Sequence, residues 1–405
     1  MKVAAVIAEF NPFHKGHEYL LSEIKRRSNA DYIITVMSGD YVQRGEPAVF
    51  DKFTRTKTAL NGGINLVIEL PCAIATGSAA IFAEGAVDLL NKLNIVDELW
   101  FGSECGDISS FDAVSDILIN EPPQFTSELR SCLKQGLSFP KARFTALSSI
   151  PYVAENFNDV KAMEEFLISP NNILGLEYLA ALKKTKSNIK PKTISRKGSG
   201  YNNTSINTEN ASASAIRKAL ISENQSAAAS ALPDHIYKSF DLDKLFSDAV
   251  YPDDFSLLLH SRLLNETAES LSKYPDISYD LARRIKQLEN SFKGFEAFAM
   301  TLKTKNLTYS HIKRCLLHIT LGIHKSDVEN AFNNNYARML GFCNASKLLG
   351  EIKKSSMIQL CGKPSILPSK LYQKELFASN LYNAVLANKT GNTFVHEYQK
   401  QLVII

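Results

Sequence analysis

The chain opens on a nearly unbroken apolar run, residues 2–10, broken only by Lys2 and Glu9. This is the pattern of a central parallel strand covered on both faces. Comparable short runs lie at 32–37, 65–70 and 98–101, and the stretches between them, 16–27, 50–61 and 78–93, carry helical signals. Gly62 and Gly63 close the second of these in the way helices often end. Strands recurring about every thirty residues with a helix in each gap make βαβ units. Residues 1 to about 105 therefore predict an α/β fold, a doubly wound parallel sheet with right-handed crossovers.

Residues 106–190 read as mostly helical, with clear segments at 127–135 and 171–182. A short strand follows at 192–196, and then a loop rich in Gly, Ser and Asn at 198–208, which reads equally as ligand cover or as a solvated connection. Helix returns at 211–222. From about residue 235 the pattern changes, with apolar residues at helical spacing in 255–271, 277–288, 295–302 and 311–321 and no clear strand alternation. A break at 364–368 precedes one more helix, 372–387, whose neighbour the pattern does not give. The expected division is an α/β unit over 1–230 followed by a mainly helical region over 231–405.

Composition narrows the class. At 405 residues and 45% hydrophobic content the chain can fill real cores. Its 46 basic and 42 acidic residues leave a net charge of +4, too weak a field to argue for nucleic acid by itself. The six cysteines show no CxxC pair or close Cys/His spacing, against a zinc module or a disulfide framework. No window approaches the ~18 apolar residues of a membrane span, so a cytoplasmic protein without a membrane partner is expected. No obligate protein partner is inferred. Charge is concentrated locally: residues 281–325 hold nine basic residues (Arg283, Arg284, Lys286, Lys293, Lys303, Lys305, Lys313, Arg314 and Lys325) against Glu289 and Glu296. With Phe295, Tyr309 and His311 among them, the stretch suits RNA backbone contact and base stacking, or else the solvated face of a helix bundle with Phe295 in its core.

The chemistry concentrates after the first strand. In Asn11-Pro12-Phe13-His14-Lys15-Gly16-His17 two imidazoles stand three residues apart on a first helical turn, which aims both rings the same way. Free backbone N–H groups at a helix start, at the carboxyl end of an open sheet, favour a phosphate. Displacement at an α-phosphate builds charge on its oxygens, which fixed donors stabilise without a covalent bond. Gly16 would let the nucleotide come close. Arg44 and Arg55 are candidates for triphosphate or a substrate carboxylate, and Asp40 or Glu46 for Mg²⁺. Gly102-Ser103-Glu104 ends the fourth strand, where a glycine would let adenine or ribose lie on the backbone. Ser212, Ser214 and Arg217 are possible phosphate contacts at a later helix start, although the serines also serve as simple caps.

These segments, with Met37-Ser38-Gly39, Gln43-Arg44-Gly45-Glu46-Pro47-Ala48, Val67-Ile68-Glu69-Leu70-Pro71, Phe101-Gly102-Ser103-Glu104 and Pro170-Asn171-Asn172-Ile173-Leu174-Gly175, closely resemble the bacterial tRNA(Met) cytidine acetate ligase family of the HxGH nucleotidyltransferase superfamily. The match runs over most of residues 1–220 and thins in the helical part. The resemblance implies an enzyme that activates acetate with ATP, releasing pyrophosphate, and then acetylates the N4 amine of the wobble cytidine of elongator tRNA(Met), releasing AMP. It implies His14, His17 and Arg44 as catalytic residues. ATP would lie along Ile7, Ala8, Glu9, Phe10, Asn11, Pro12, Phe13, His14, Lys15, Gly16, His17, Glu18, Tyr19 and Leu20, with Gly102, Asn171 and Arg196 as further contacts and Mg²⁺ expected beside it. The basic stretch nominates Arg283, Arg284, Lys313 and Arg314 for tRNA. Two other readings stay open: an adenylyltransferase making a dinucleotide or coenzyme A precursor, and a non-catalytic ATP-binding RNA protein.

Overall fold

The computed structural model describes residues 1–157, 159–196, 211–367 and 369–405. The polar loop expected at 198–208 lies outside them. The strands are β1 (Val3–Ala8), β2 (Tyr32–Ser38), β3 (Tyr41–Val42), β4 (Glu46–Pro47), β5 (Leu66–Leu70), β6 (Glu98–Ser103), β7 (Lys190–Ser195), β8 (Tyr336–Phe342), β9 (Gln359–Cys361) and β10 (Val403–Ile404). All but the β3–β4 hairpin join one sheet in the order β10-β8-β5-β2-β1-β6-β7, with β9 beside β8. The five strands from β5 to β7 are parallel throughout. From β1 the chain steps outward to β2 and β5, then returns to lay β6 on the other side of β1. That reversal opens a crevice at the carboxyl ends of β1 and β6, where open α/β sheets bind ligands.

The first three helices expected from the sequence are α1 (Lys15–Ser28), α2 (Lys52–Asn61) and, after the short α3 (Cys72–Ala75), α4 (Ala79–Leu93). Alternation along β1 sorts its side chains onto two cores. Val3, Ala5 and Ile7 pack with Phe82, Val87 and Leu90 of α4, whereas Ala4 and Val6 pack with Leu21 and Ile24 of α1 and Ala59 of α2. Both faces are therefore covered, as the unbroken apolar run requires. The helices Ile108–Asn120, Pro123–Lys134, Phe139–Ser148, Val160–Ile168 and Pro170–Lys184 fill the span read as helical before β7.

The C-terminal region is mainly helical as expected, with Ser256–Asn265, Tyr279–Leu288, Phe295–Leu302, Tyr309–Leu321 and Ser369–Thr390. It also holds three strands that the sequence pattern did not show. The central one, β8, runs antiparallel to β5, so the sheet is parallel in its core and mixed at this edge. Seven residues, Tyr-Ala-Arg-Met-Leu-Gly-Phe, are covered on both faces by turns, which removes the period-two alternation that marks a half-buried strand. The helical core around Phe255, Leu259, Leu316 and Tyr382 also takes in Tyr41, Cys72 and Ala73 from the first part of the chain.

A buried ionic cluster ties these parts together. Lys52 Nζ lies 2.9 Å from Glu69 Oε1, 3.0 Å from Glu397 Oε1 and 2.8 Å from Ser379 Oγ. None of the three charged side chains is more than 5% exposed. Burial would strip Lys52 of its proton, but Glu397 and Glu69 outweigh it and hold the ammonium well above its ordinary range.

Candidate active site

Helix α1 begins where its sequence says it should. Leu21, Ile24 and Ser28 turn inward at helical spacing, Lys25, Arg26 and Arg27 occupy the last turn, and Asn29 ends the helix in the left-handed conformation. Its N-cap is His14. The His14 Nδ1 accepts the Gly16 N–H at 3.0 Å, and the His17 Nδ1 accepts the His14 N–H at 3.2 Å, so the two imidazoles form a reciprocal capping box. A ring that accepts on Nδ1 carries its proton on Nε2. The ring centroids are 3.8 Å apart with planes inclined by 31°. Phe10 and Phe13 back the His17 ring at 5.0 and 5.5 Å.

Both rings are neutral. Burial, followed by the charges of Arg196 and Arg217, lowers the His14 pKa to about 3. Burial, the neighbouring His14 and Arg196 push His17 well below its usual range. The site thus presents two fixed neutral N–H donors.

The local geometry changes three readings of this turn. Its backbone amides are not free: Lys15 N–H reaches Ala231 O at 3.1 Å, Gly16 N–H is held by His14, and His17 N–H returns to His14 O at 2.8 Å. An anion here meets imidazole rather than main chain. Gly16 is required first by its neighbour, because a Cβ there would stand 2.8 Å from His14 Cε1. Arg55 is not a substrate ligand. Fully buried, its guanidinium donates to Phe50 O, Glu9 O, Ser38 O and Gly39 O and so fastens the carboxyl ends of β1 and β2.

The segment between β1 and α1 is tightly built. Phe10 takes φ +46° and the Asn11–Pro12 peptide is cis. Phe10, Asn11 and Phe13 are buried, and Asn11 Oδ1 accepts Val49 N–H at 2.7 Å. Glu9 Oε1 accepts Gln43 N–H at 2.7 Å, and burial pushes this carboxyl upward from its ordinary range. Ile7 and Ala8 close β1, while Glu18, Tyr19 and Leu20 continue α1.

Around this loop the fold gathers residues from distant segments. Arg217, in the helix Ala213–Ile221 capped by Ser212, donates to Asn11 O at 2.7 Å and lies 3.0 Å from Glu46 Oε1. Arg44 Nη1 stands 3.4 Å from Ser214 Oγ. Burial pulls Glu46 upward, but Arg217 and Lys313 outweigh it and keep the carboxyl below its usual range. Across the crevice a Cβ at Gly102 would just touch the Arg196 side chain, 3.4 Å from its Cγ. Glu104 receives Asn171 Nδ2 at 2.7 Å and Asn172 N–H at 3.1 Å, and Asn172 Oδ1 accepts Glu104 N–H at 2.9 Å. This clamp seats the start of the helix Pro170–Lys184 against β6. Buried Asn172 was not singled out from sequence, although it stands beside Asn171 directly after the helix-starting Pro170.

The carboxylates nominated for Mg²⁺ do not fit that role. Asp40 is buried and accepts the Lys52 N–H at 2.9 Å, and Glu46 lies between two cations. Among the described residues no group of three His, Cys, Asp or Glu side chains could hold a metal ion. The basic stretch also divides. Arg283, Lys293, Lys303 and Lys305 are exposed; Arg284 is partly covered and donates to Thr301 O at 3.2 Å. Phe295 belongs to the helical core, and Lys313 is buried against Glu46 and Glu296. Arg314 lies beside it, its backbone against Gly45. Among the described residues no helix is long and apolar enough to cross a membrane.

Residues 1–397 match the family model of the HIGH nucleotidyl transferases. A tRNA(Met) cytidine acetate ligase of Clostridium perfringens is 41% identical over 95% of both chains. One from Acetivibrio thermocellus is 38% identical over the whole of both. The crystal structure of Thermotoga maritima TmcAL bound with alpha-thio ATP superposes with a TM-score of 0.89 at 29% identity, covering 100% of each chain. The apo form of that enzyme gives 0.91 at 30% identity over the same coverage.

Proposed function

The chain belongs to the HIGH nucleotidyl transferases and, among them, to the tRNA(Met) cytidine acetate ligase family, and on this footing we propose that it is an ATP-dependent ligase that makes N4-acetylcytidine at the wobble position of elongator tRNA(Met). The observation that carries the reading is the capping box itself. Two neutral imidazoles, each committed through Nδ1 to backbone, hold Nε2–H donors side by side at the sheet's reversal point.

ATP lies along residues 7–20, with Gly102, Asn171 and Arg196 on the far wall. Acetate, like Glu with a reference pKa of about 4.3, is already ionised at neutral pH, so its attack on the α-phosphorus needs no general base. An acetate oxygen bonds to phosphorus as the bond to the bridging oxygen breaks and pyrophosphate leaves. His14 and His17 donate to the α-phosphate oxygens on which charge develops, and fixed donors of this kind are worth a few kcal/mol each. Arg44, Arg217 and Ser214 face the outgoing phosphates. Among the described residues no group of three His, Cys, Asp or Glu side chains stands ready for Mg²⁺. The cytidine amine then attacks the acetyl carbonyl, its C–O bond to AMP breaks, and the amine loses a proton. An unpaired anticodon loop lets the base reach such a pocket at small cost. The exposed Arg283, with Arg284, Lys293, Lys303 and Lys305, is the proposed tRNA face.

Incubation with labelled acetate, ATP and tRNA tests the proposal. Acetylated cytidine with stoichiometric AMP is expected. A dinucleotide product, or RNA binding without any product, would replace the ligase reading with another.

A further inference from the structure

We propose that Lys313, on the helix Tyr309–Leu321 of the C-terminal region, is a positioning residue of the nucleotide site that acts through Glu46 on Arg217. The inference rests on reading this crevice as an ATP site. Glu46 uses its two oxygens for two partners: Oε2 meets Lys313 Nζ and Oε1 lies 3.0 Å from Arg217 Nη2. Arg217 in turn donates through Nη1 to Asn11 O, in the loop that carries the paired histidines. Lys313 has a second acid, Glu296 Oε1, at 2.9 Å. A continuous chain of charged contacts, Glu296 to Lys313 to Glu46 to Arg217, thus runs from the helical region to the turn before α1.

The arrangement has a chemical reason. A buried carboxylate facing a single guanidinium draws it into a bidentate pair, which would pull Arg217 off Asn11 O and cancel its charge toward a phosphate. Lys313 occupies one carboxylate oxygen and supplies the neutralising charge. Arg217 is left with one nitrogen on the loop, and Glu46 is shared between two cations instead of being closed on this one. The Lys313 side chain is only 7% exposed, so Lys313 is not itself a surface ligand for RNA phosphate.

A second observation fixes the spacing. Gly45, between β3 and β4, has φ +74°, and a Cβ there would stand 2.3 Å from Arg314 N and 2.5 Å from Lys313 C. Only glycine allows the hairpin to sit on that helix backbone, and this seat sets the distance from Glu46 to Lys313.

The test is a double-mutant cycle in the full chain, with ATP affinity read by calorimetry and acetate-dependent pyrophosphate release measured without tRNA. Arg217→Met should raise the KM for ATP about tenfold and Lys313→Met roughly fivefold. The double variant should be no worse than Arg217→Met within about twofold, because Lys313 acts only through that arginine. Lys313→Arg should recover most of the loss. Multiplying effects in the double variant, or an unchanged ATP KM in a folded Lys313→Met protein, would overturn the proposal. If Lys313→Met does not fold, Lys313→Gln carries the same comparison, and loss of fold in both leaves Lys313 a purely structural role and ends the inference. A wild-type protein that binds ATP but releases no acetate-dependent pyrophosphate would refute the ligase reading instead, while ATP affinity alone would still decide the role of Lys313.

Discussion

His14 and His17 cap α1 and, in the proposed mechanism, also serve the reaction, and the two roles can be separated. Nδ1 of each ring accepts a backbone N–H at the start of the helix, and Nε2–H is the donor proposed for the α-phosphate. Asparagine at position 14 keeps an acceptor for the Gly16 N–H, since it is among the best N-caps, but cannot place the second donor. His14→Asn should therefore melt near the wild type while slowing acetate-dependent AMP formation by about 10²–10³. His14→Ala should show the same loss of rate and, in addition, about 1 kcal/mol less stability. Wild-type rates in a folded His14→Asn protein would remove the catalytic role. The lowered pKa values also predict an acid-side effect. Unfolded histidine binds its proton near pH 6.5, whereas folded His14 does so only near 3. Below about pH 6.5 the unfolded chain takes up protons that the folded one refuses, so stability present above that pH falls as the solution is acidified toward 3. Melting temperatures between pH 7.5 and 4.5 should drop less steeply in a His14→Asn, His17→Asn double variant than in wild type, and parallel curves would contradict this.

At the level of elements, the parts of the fold that carry a strong local pattern were readable and the others were not. The apolar run of β1 and the helices on either side announce themselves through periodicity, and the histidines through their spacing after that run. The capping box those histidines form was not legible, since histidine is not among the usual N-caps. Arg55 was misjudged because nothing in its neighbours shows that four carbonyls converge on it from Phe50, Glu9, Ser38 and Gly39. Lys313 read as a tRNA contact because it stands beside Arg314 in a stretch of nine basic residues, and its partner Glu46 lies 267 residues away in sequence. Helix α2 gives the sharpest test at this scale. Its first residue, Lys52, is enclosed with Glu69 and Glu397. Removing one partner of a buried ion pair leaves uncompensated charge and costs about 3–5 kcal/mol. Lys52→Met should show that loss in denaturant unfolding, and a change below about 1 kcal/mol would mean that the carboxyls simply take up protons.

Across the whole molecule the helical region serves the sheet, the nucleotide loop and the proposed RNA face at once. If exposed Arg283 and Lys303 each neutralise a tRNA phosphate, Arg283→Ala and Lys303→Ala should weaken binding and each flatten the logarithmic salt dependence by roughly 0.7–0.9. Affinities measured at several salt concentrations would show it, and unchanged slopes would move the RNA to another surface. The antiparallel strand β8 has a consequence of a different kind, in the order of synthesis. Leu66–Leu70 must wait for Tyr336–Phe342 to be made before its free edge is paired. At about 5–20 residues per second, a separation of roughly 270 residues leaves that apolar edge open on the ribosome for about 15–50 s. During that interval an already formed β5 would offer an unpaired edge to any neighbouring chain, the kind of exposure that favours aggregation.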